Sequence, residues 1–109
     1  MIRTVTLDCL AITDWASCHA AFARAFGFPA WYGRNLDAWI DCMSNLDQDG
    51  MSTIRVGPQD SVLLTLRNAS ALKNAAPEVL HDLLELTAIC NWRRIEAGEP
   101  PLLMVACEG

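Results

Sequence analysis

Apolar residues are spaced in two ways along this chain, and the alternation between them predicts its elements. Ile2, Thr4 and Thr6 alternate with Arg3, Val5 and Leu7 up to Asp8, a period of two rich in β-branched residues that predicts a strand. From Trp15 the spacing changes to three and four, through Cys18, Ala21 or Phe22, Ala25 and Phe26, which predicts a helix capped by Thr13 or Asp14. Gly27 stops that helix and Pro29 prevents a restart. The segment Phe28 to Arg34 reads as a loop. Asn35 then caps a second helix running to about Leu46, with Leu36, Trp39, Ile40 and Met43 as its apolar ridge.

Ser61 to Leu66 is continuous enough in Val and Leu to predict a strand buried on both faces. Asn68 or Ser70 caps a short helix to Ala75. Pro77, at a first-turn position beside Glu78, opens a long helix through Val79, Leu80, Leu83, Leu84, Leu86, Thr87, Cys90 and Trp92 to about Glu96. Gly98, Pro100 and Pro101 end it, and Leu102 to Cys107 forms a last strand. The polar stretch Asp47 to Asp60 is long for a loop in so small a protein; its middle, Met51 to Val56, has room for an extra turn or hairpin. The order is β-α-α-β-α-α-β. Strands joined by helical crossovers run parallel, so the expected architecture is α/β: one domain over residues 1–109, with a three-stranded parallel sheet packed against helices.

Composition narrows the function. The chain of 109 residues is 52% hydrophobic, enough for one core and far from disorder. Its longest apolar run near an end, Leu102 to Cys107, is far too short for a bilayer. Asp8 and Asp14 interrupt the place where a signal peptide would have its apolar core, so a cytoplasmic protein is expected. Five cysteines without a CxxC motif are expected to be mostly reduced and buried. Eight basic and thirteen acidic side chains leave a net charge of −5, which disfavours direct contact with nucleic acid. From Asp37 to Asp60, five acids (Asp37, Asp41, Asp47, Asp49, Asp60) face Arg55 alone. Such a patch either solubilises or steers a basic partner.

Within it, Asp37 and Asp41 stack on one helical face, where like charges four apart oppose folding by roughly 0.2–0.5 kcal/mol. A basic partner is one reason to keep them; a plain solvated face is the other reading. Trp31 and Tyr32, in the loop just before, either close the core or supply rigid aromatics to an interface. Enzyme constellations are thin. Cys18 and His19 are neighbours whose side chains diverge, and Cys42 could meet His81 only through tertiary structure. No metal-ligand spacing is present, and no cofactor is expected. Arg93 and Arg94 suit the negative end of the long helix, with contact to an anion or a partner's acid as the alternative.

The run Phe28-Pro-Ala-Trp-Tyr-Gly-Arg-Asn-Leu-Asp-Ala-Trp-Ile-Asp-Cys42 resembles the signature of the barstar-like family of intracellular ribonuclease inhibitors. The resemblance implies that this loop and helix plug the active site of a basic ribonuclease, with carboxylates standing in for substrate phosphate. It implies that Asp41 matches the acid contributing most to that grip and Asp37 its companion one turn earlier. Trp31 takes the place of an interface tyrosine, while Tyr32, Gly33 and Asn35 match directly. There are departures: Ile40 precedes Asp41 where the family's best-known member has Trp, the loop after the helix is longer, and an accessory acid of the long helix falls at Arg94, or at Glu96 if the alignment slips. A cation at that position would repel a basic ribonuclease.

The expected function is therefore non-catalytic: occlusion of a basic ribonuclease or related nuclease toxin by Trp31, Tyr32, Gly33, Asn35, Asp37 and Asp41. The alternative is a non-inhibitory interaction module of the same fold that docks on another basic protein. Either way the expected partner is a protein, with no membrane and no metal involved, and the free chain is expected to be a monomer.

Overall fold

A computed structural model describes residues 1–109. The elements follow in the order β1 (Ile2–Asp8), a 3-10 turn (Cys9–Ala11), α1 (Trp15–Phe26), α2 (Leu36–Ser44), β2 (Ser61–Arg67), α3 (Ala69–Ala75), α4 (Pro77–Glu96) and β3 (Leu103–Cys107). The sheet has the order β1-β2-β3 and is parallel throughout. Ile2 pairs with Ser61 and Asp8 with Arg67, while Val62 pairs with Leu103 and Leu66 with Cys107. This is the α/β architecture that the apolar spacing predicts.

The pleat decides which side chains face the helices. Val5, Leu7, Val62, Leu64, Leu66 and Leu103 are buried on one face, whereas Ile2, Thr4, Thr6 and Met104 are exposed on the other. This corrects the expectation that β2 is buried on both faces. Leu63 and Thr65 are only half-buried, because no helix covers that side. Against the inner face pack Phe22 and Phe26 of α1, Trp39 and Met43 of α2, Leu72 of α3, and Val79, Leu83 and Cys90 of α4, all nearly inaccessible. Each large side chain so buried contributes roughly 1.5–3 kcal/mol.

Asp14 caps α1 through a reciprocal pair with Ser17: Asp14 Oδ1 accepts from the Ser17 N–H at 2.8 Å, and Ser17 Oγ accepts from the Asp14 N–H at 3.1 Å. Gly27 ends the helix in the left-handed region at φ 61°, and a Cβ there would also collide with Thr53. The collision reflects how residues 52–54 run. The Thr53 N–H and the Ser52 hydroxyl both donate to the Phe26 carbonyl, and Ser52 Oγ accepts from the Ile54 N–H. Met51 to Val56 therefore forms no hairpin. Two of its donors serve the open end of α1 instead of a strand ladder.

Candidate functional site

The loop before α2 is held from beneath by aromatic rings. Phe28 lies 5.7 Å from Phe26 and 4.7 Å from Tyr32, measured between ring centroids. The Tyr32 N–H donates to the Pro29 carbonyl at 2.9 Å, turning the chain back on itself. Tyr32 then points inward: it is 8% exposed, and its hydroxyl is hydrogen-bonded to His19 Nδ1. Burial, with Arg34 adding to it, holds the His19 imidazolium below its ordinary pKa of 6.5. Burial also raises the Tyr32 phenol, so the pair is two neutral groups sharing one hydrogen bond. Of the two roles open to Tyr32, closing the core under the loop is the one its ring fills in the free chain. Its neighbour Trp31 is 63% exposed.

Gly33 and Asn35 start α2. Asn35 Oδ1 accepts from the Ala38 N–H at 2.8 Å, and its amide Nδ2 donates back to the Gly33 carbonyl at 3.4 Å. A Cβ at Gly33 would lie 3.1 Å from Asn35 Nδ2, so glycine leaves room for the cap. Between them Arg34 sits at φ 52°, a left-handed conformation that costs an ordinary L-residue roughly 1–2 kcal/mol. The strained turn and the cap together set the direction in which α2 leaves the loop.

Along α2 the two faces separate. Trp39 is fully buried, edge-on to Phe22 at 5.4 Å, and Met43 lies beside it in the core. The Trp39 indole N–H finds no acceptor, so burial of the ring has to outweigh that loss. Leu36, expected on the apolar ridge, is 41% exposed. The first turn projects past the core, for Asn35, Leu36 and Asp37 are all exposed together. Asp37 sits in that turn, where the positive helix end favours it. Asp41 is also exposed, and its nearest cation is Arg93 of α4, Nη1 to Oδ1 at 3.5 Å. Trp31, Asp37 and Asp41 are thus exposed above an aromatic base in which Tyr32 and Trp39 are buried and Phe28 is partly buried.

The other acids of the patch are differently placed. Arg94 is buried and reaches the Ser44 carbonyl at 3.0 Å, the Pro100 carbonyl at 2.8 Å, Asp47 at 3.1 and 3.3 Å and Glu99 at 3.1 Å. Two carboxylates neutralise it, so it presents no surface cation to a basic partner. That corrects the expectation of repulsion, and Glu96 stays exposed beside it. Asp60 accepts from the Gly57 N–H at 2.8 Å and from Arg3 Nε at 3.2 Å, contacts that hold its carboxyl below the ordinary range. Of the five acids, Asp37, Asp41 and Asp49 are left exposed.

Nucleophile chemistry finds no support in this arrangement. Burial pushes the Cys18 thiol up to about 12 and Cys9 up to about 11, and it raises Cys42 and Cys90 as well. Cys42 is buried while His81 is exposed beside Asp82 and Glu85 of its own helix, so the two do not form a pair. Four of the five cysteines are buried and all are free. No group of three His, Cys, Asp or Glu is placed to hold a metal ion. The largest groove, about 610 Å³, lies under the 47–60 loop, where Arg3, Asp49 and Arg55 line it, away from the Asp37–Asp41 face. No helix is long and apolar enough to cross a membrane.

Sequence reasoning held the inward turn of Tyr32 as one of two readings and did not anticipate a second feature of the site, the ion pair of Arg93 with Asp41. Helical spacing carried a partial signal for the second, since Arg93 and Arg94 point about 100° apart and only one of them can face the core. No curated protein matches the chain. A family model described as Barstar (barnase inhibitor) matches residues 2–103, nearly the whole chain, and on that match the protein belongs to the barstar family.

Proposed function

We propose that this protein inhibits a basic ribonuclease or related nuclease toxin by laying the 28–35 loop and α2 over its active site. Proteins of the barstar family are non-catalytic inhibitors, and ribonuclease inhibition is the general function that membership supports. The finer reading is carried by one observation: Asp37 and Asp41 are exposed one turn apart on a helix whose opposite face is locked into the core. Carboxylates on so rigid a base meet the arginines and lysines of a phosphate-binding cleft with little further loss of side-chain freedom. Trp31 adds an exposed aromatic beside them, Asn35 and Gly33 hold the helix entry, and Tyr32 supports the loop from below. Inhibition is steric and electrostatic, with no turnover.

The test is a calorimetric titration against a small basic bacterial ribonuclease of the guanyl-preferring class, with Asp41→Ala run alongside. Tight one-to-one binding that the variant loses supports the proposal. A folded sample that does not bind removes this ribonuclease class as the target. Raising salt is expected to slow association more than it speeds dissociation, because the acids steer encounter.

A further inference from the structure

Asp41 is the acid on which the proposed grip depends most, yet in the free protein it already has a cation of its own. Arg93 Nη1 lies 3.5 Å from Asp41 Oδ1, and the two side chains are 53% and 57% exposed. The contact joins two helices that pack side by side. It is a single long contact in water, the kind that shifts an equilibrium by a factor of about five at most. Nothing else holds the Arg93 guanidinium: it makes no other ion pair or side-chain hydrogen bond, whereas its neighbour Arg94 has four acceptors. Arg93 is therefore a displaceable counter-ion.

We infer that Arg93 is a specificity-determining residue that shields Asp41. A basic surface reaches the carboxylate only by displacing the guanidinium. A partner that does so must then give Arg93 another acceptor or leave it in water, since an unpaired charge enclosed at an interface is costly. Ile89, one turn earlier on α4, is 43% exposed, so the helix edge on that side of Arg93 is apolar, while the exposed Glu96 lies three residues beyond Arg93 on the other. A partner whose positive potential extends unbroken past Asp41 is disfavoured there. A partner whose basic cleft ends at a carboxylate or carbonyl is favoured.

That this shield selects among nucleases rests on the proposed inhibitory function; the shield itself does not, and the experiment separates the two. Binding of a hexa-arginine peptide at low ionic strength is measured for the wild type, Arg93→Gln, Asp41→Asn and the double variant. Arg24→Gln serves as a control of equal charge change, since Arg24 is exposed in the last turn of α1. Arg93→Gln is expected to bind the peptide about two- to five-fold more tightly than wild type. In the Asp41→Asn background that gain should shrink to the small effect of Arg24→Gln. A gain equal to that of Arg24→Gln, or one that persists without Asp41, reduces Arg93 to general charge and overturns the inference. The same variants against the guanyl-preferring ribonuclease give the second reading. Failure of every variant to bind the enzyme counts against the proposed target, while the peptide cycle still decides the shield.

Discussion

Residues 36–46 and 47–60 are similarly acidic in sequence and use their acids in opposite ways. On α2 the backbone is satisfied by the helix itself and by the Asn35 cap, so Asp37 and Asp41 are left with nothing inside the protein that requires them except the displaceable Arg93. In the following loop the backbone has no such internal ladder. There Asp47 and Asp60 turn inward, one to the buried Arg94 and the other to the Gly57 N–H and Arg3. A regular element frees its side chains for a partner, whereas an irregular one draws on some of them to hold itself together, here Asp47 and Asp60 while Asp49 stays exposed. The count of acids in a stretch is thus a poor guide to the charge that stretch presents.

The widest separation between the two regions is expected at Asp41 and Asp49. Asp41→Ala should cost about 2–5 kcal/mol of affinity for the ribonuclease and leave the unfolding midpoint unchanged, because it truncates one side of a charge pair buried only in the complex. Asp49→Ala should change affinity by well under 1 kcal/mol. Equal losses from the two would mean that bulk charge, and not position on α2, makes the interaction.

Arg94→Met should show the converse, a loss of stability in the free protein. Removing a buried cation leaves Asp47 without its partner, a class of change costing about 3–5 kcal/mol when fully buried; with Asp47 and Glu99 partly in water, about 2–4 kcal/mol is expected in urea unfolding. A loss below 1 kcal/mol would show that Arg94 does not organise the 44–47 and 99–100 segments.

Asn35→Ala tests whether the cap prepares α2 for docking. Loss of the Ala38 bond should lower stability by about 1 kcal/mol. If the helix entry matters for binding as well, affinity should fall by more than the loss of any contact Asn35 itself makes, with slower association.

The smallest effect concerns the base of the loop. His19 is held neutral in the folded protein below its ordinary pKa of 6.5, while the unfolded chain takes up a proton there. The unfolded state then binds more protons, so this contribution to stability is complete above pH 6.5 and declines as pH falls below it. His19→Gln, which keeps a partner for the Tyr32 hydroxyl but does not titrate, should flatten the stability profile between pH 7.5 and 5.5. An unchanged profile would assign the acid sensitivity to other groups.

Much of this molecule is legible in its sequence, because much of it depends on short-range rules. The apolar spacing determined the seven main elements and their parallel order, Asn35 determined the start of α2, and the four-residue interval determined that Asp37 and Asp41 share a face. Each follows from local backbone geometry that neighbouring residues dictate. What tertiary structure decided was the partner of each polar side chain. Arg93 and Arg94 are adjacent and chemically identical, yet one is buried among four acceptors and the other stands in solvent against Asp41, since only one could lie on the face of α4 that meets 44–47 and 99–100. Tyr32 and Trp31 are adjacent aromatics, and the former went inward because His19, thirteen residues earlier, offered its hydroxyl a partner beneath the loop. Pairings across such distances depend on where the packed helices bring their faces, and no local pattern of residues records that.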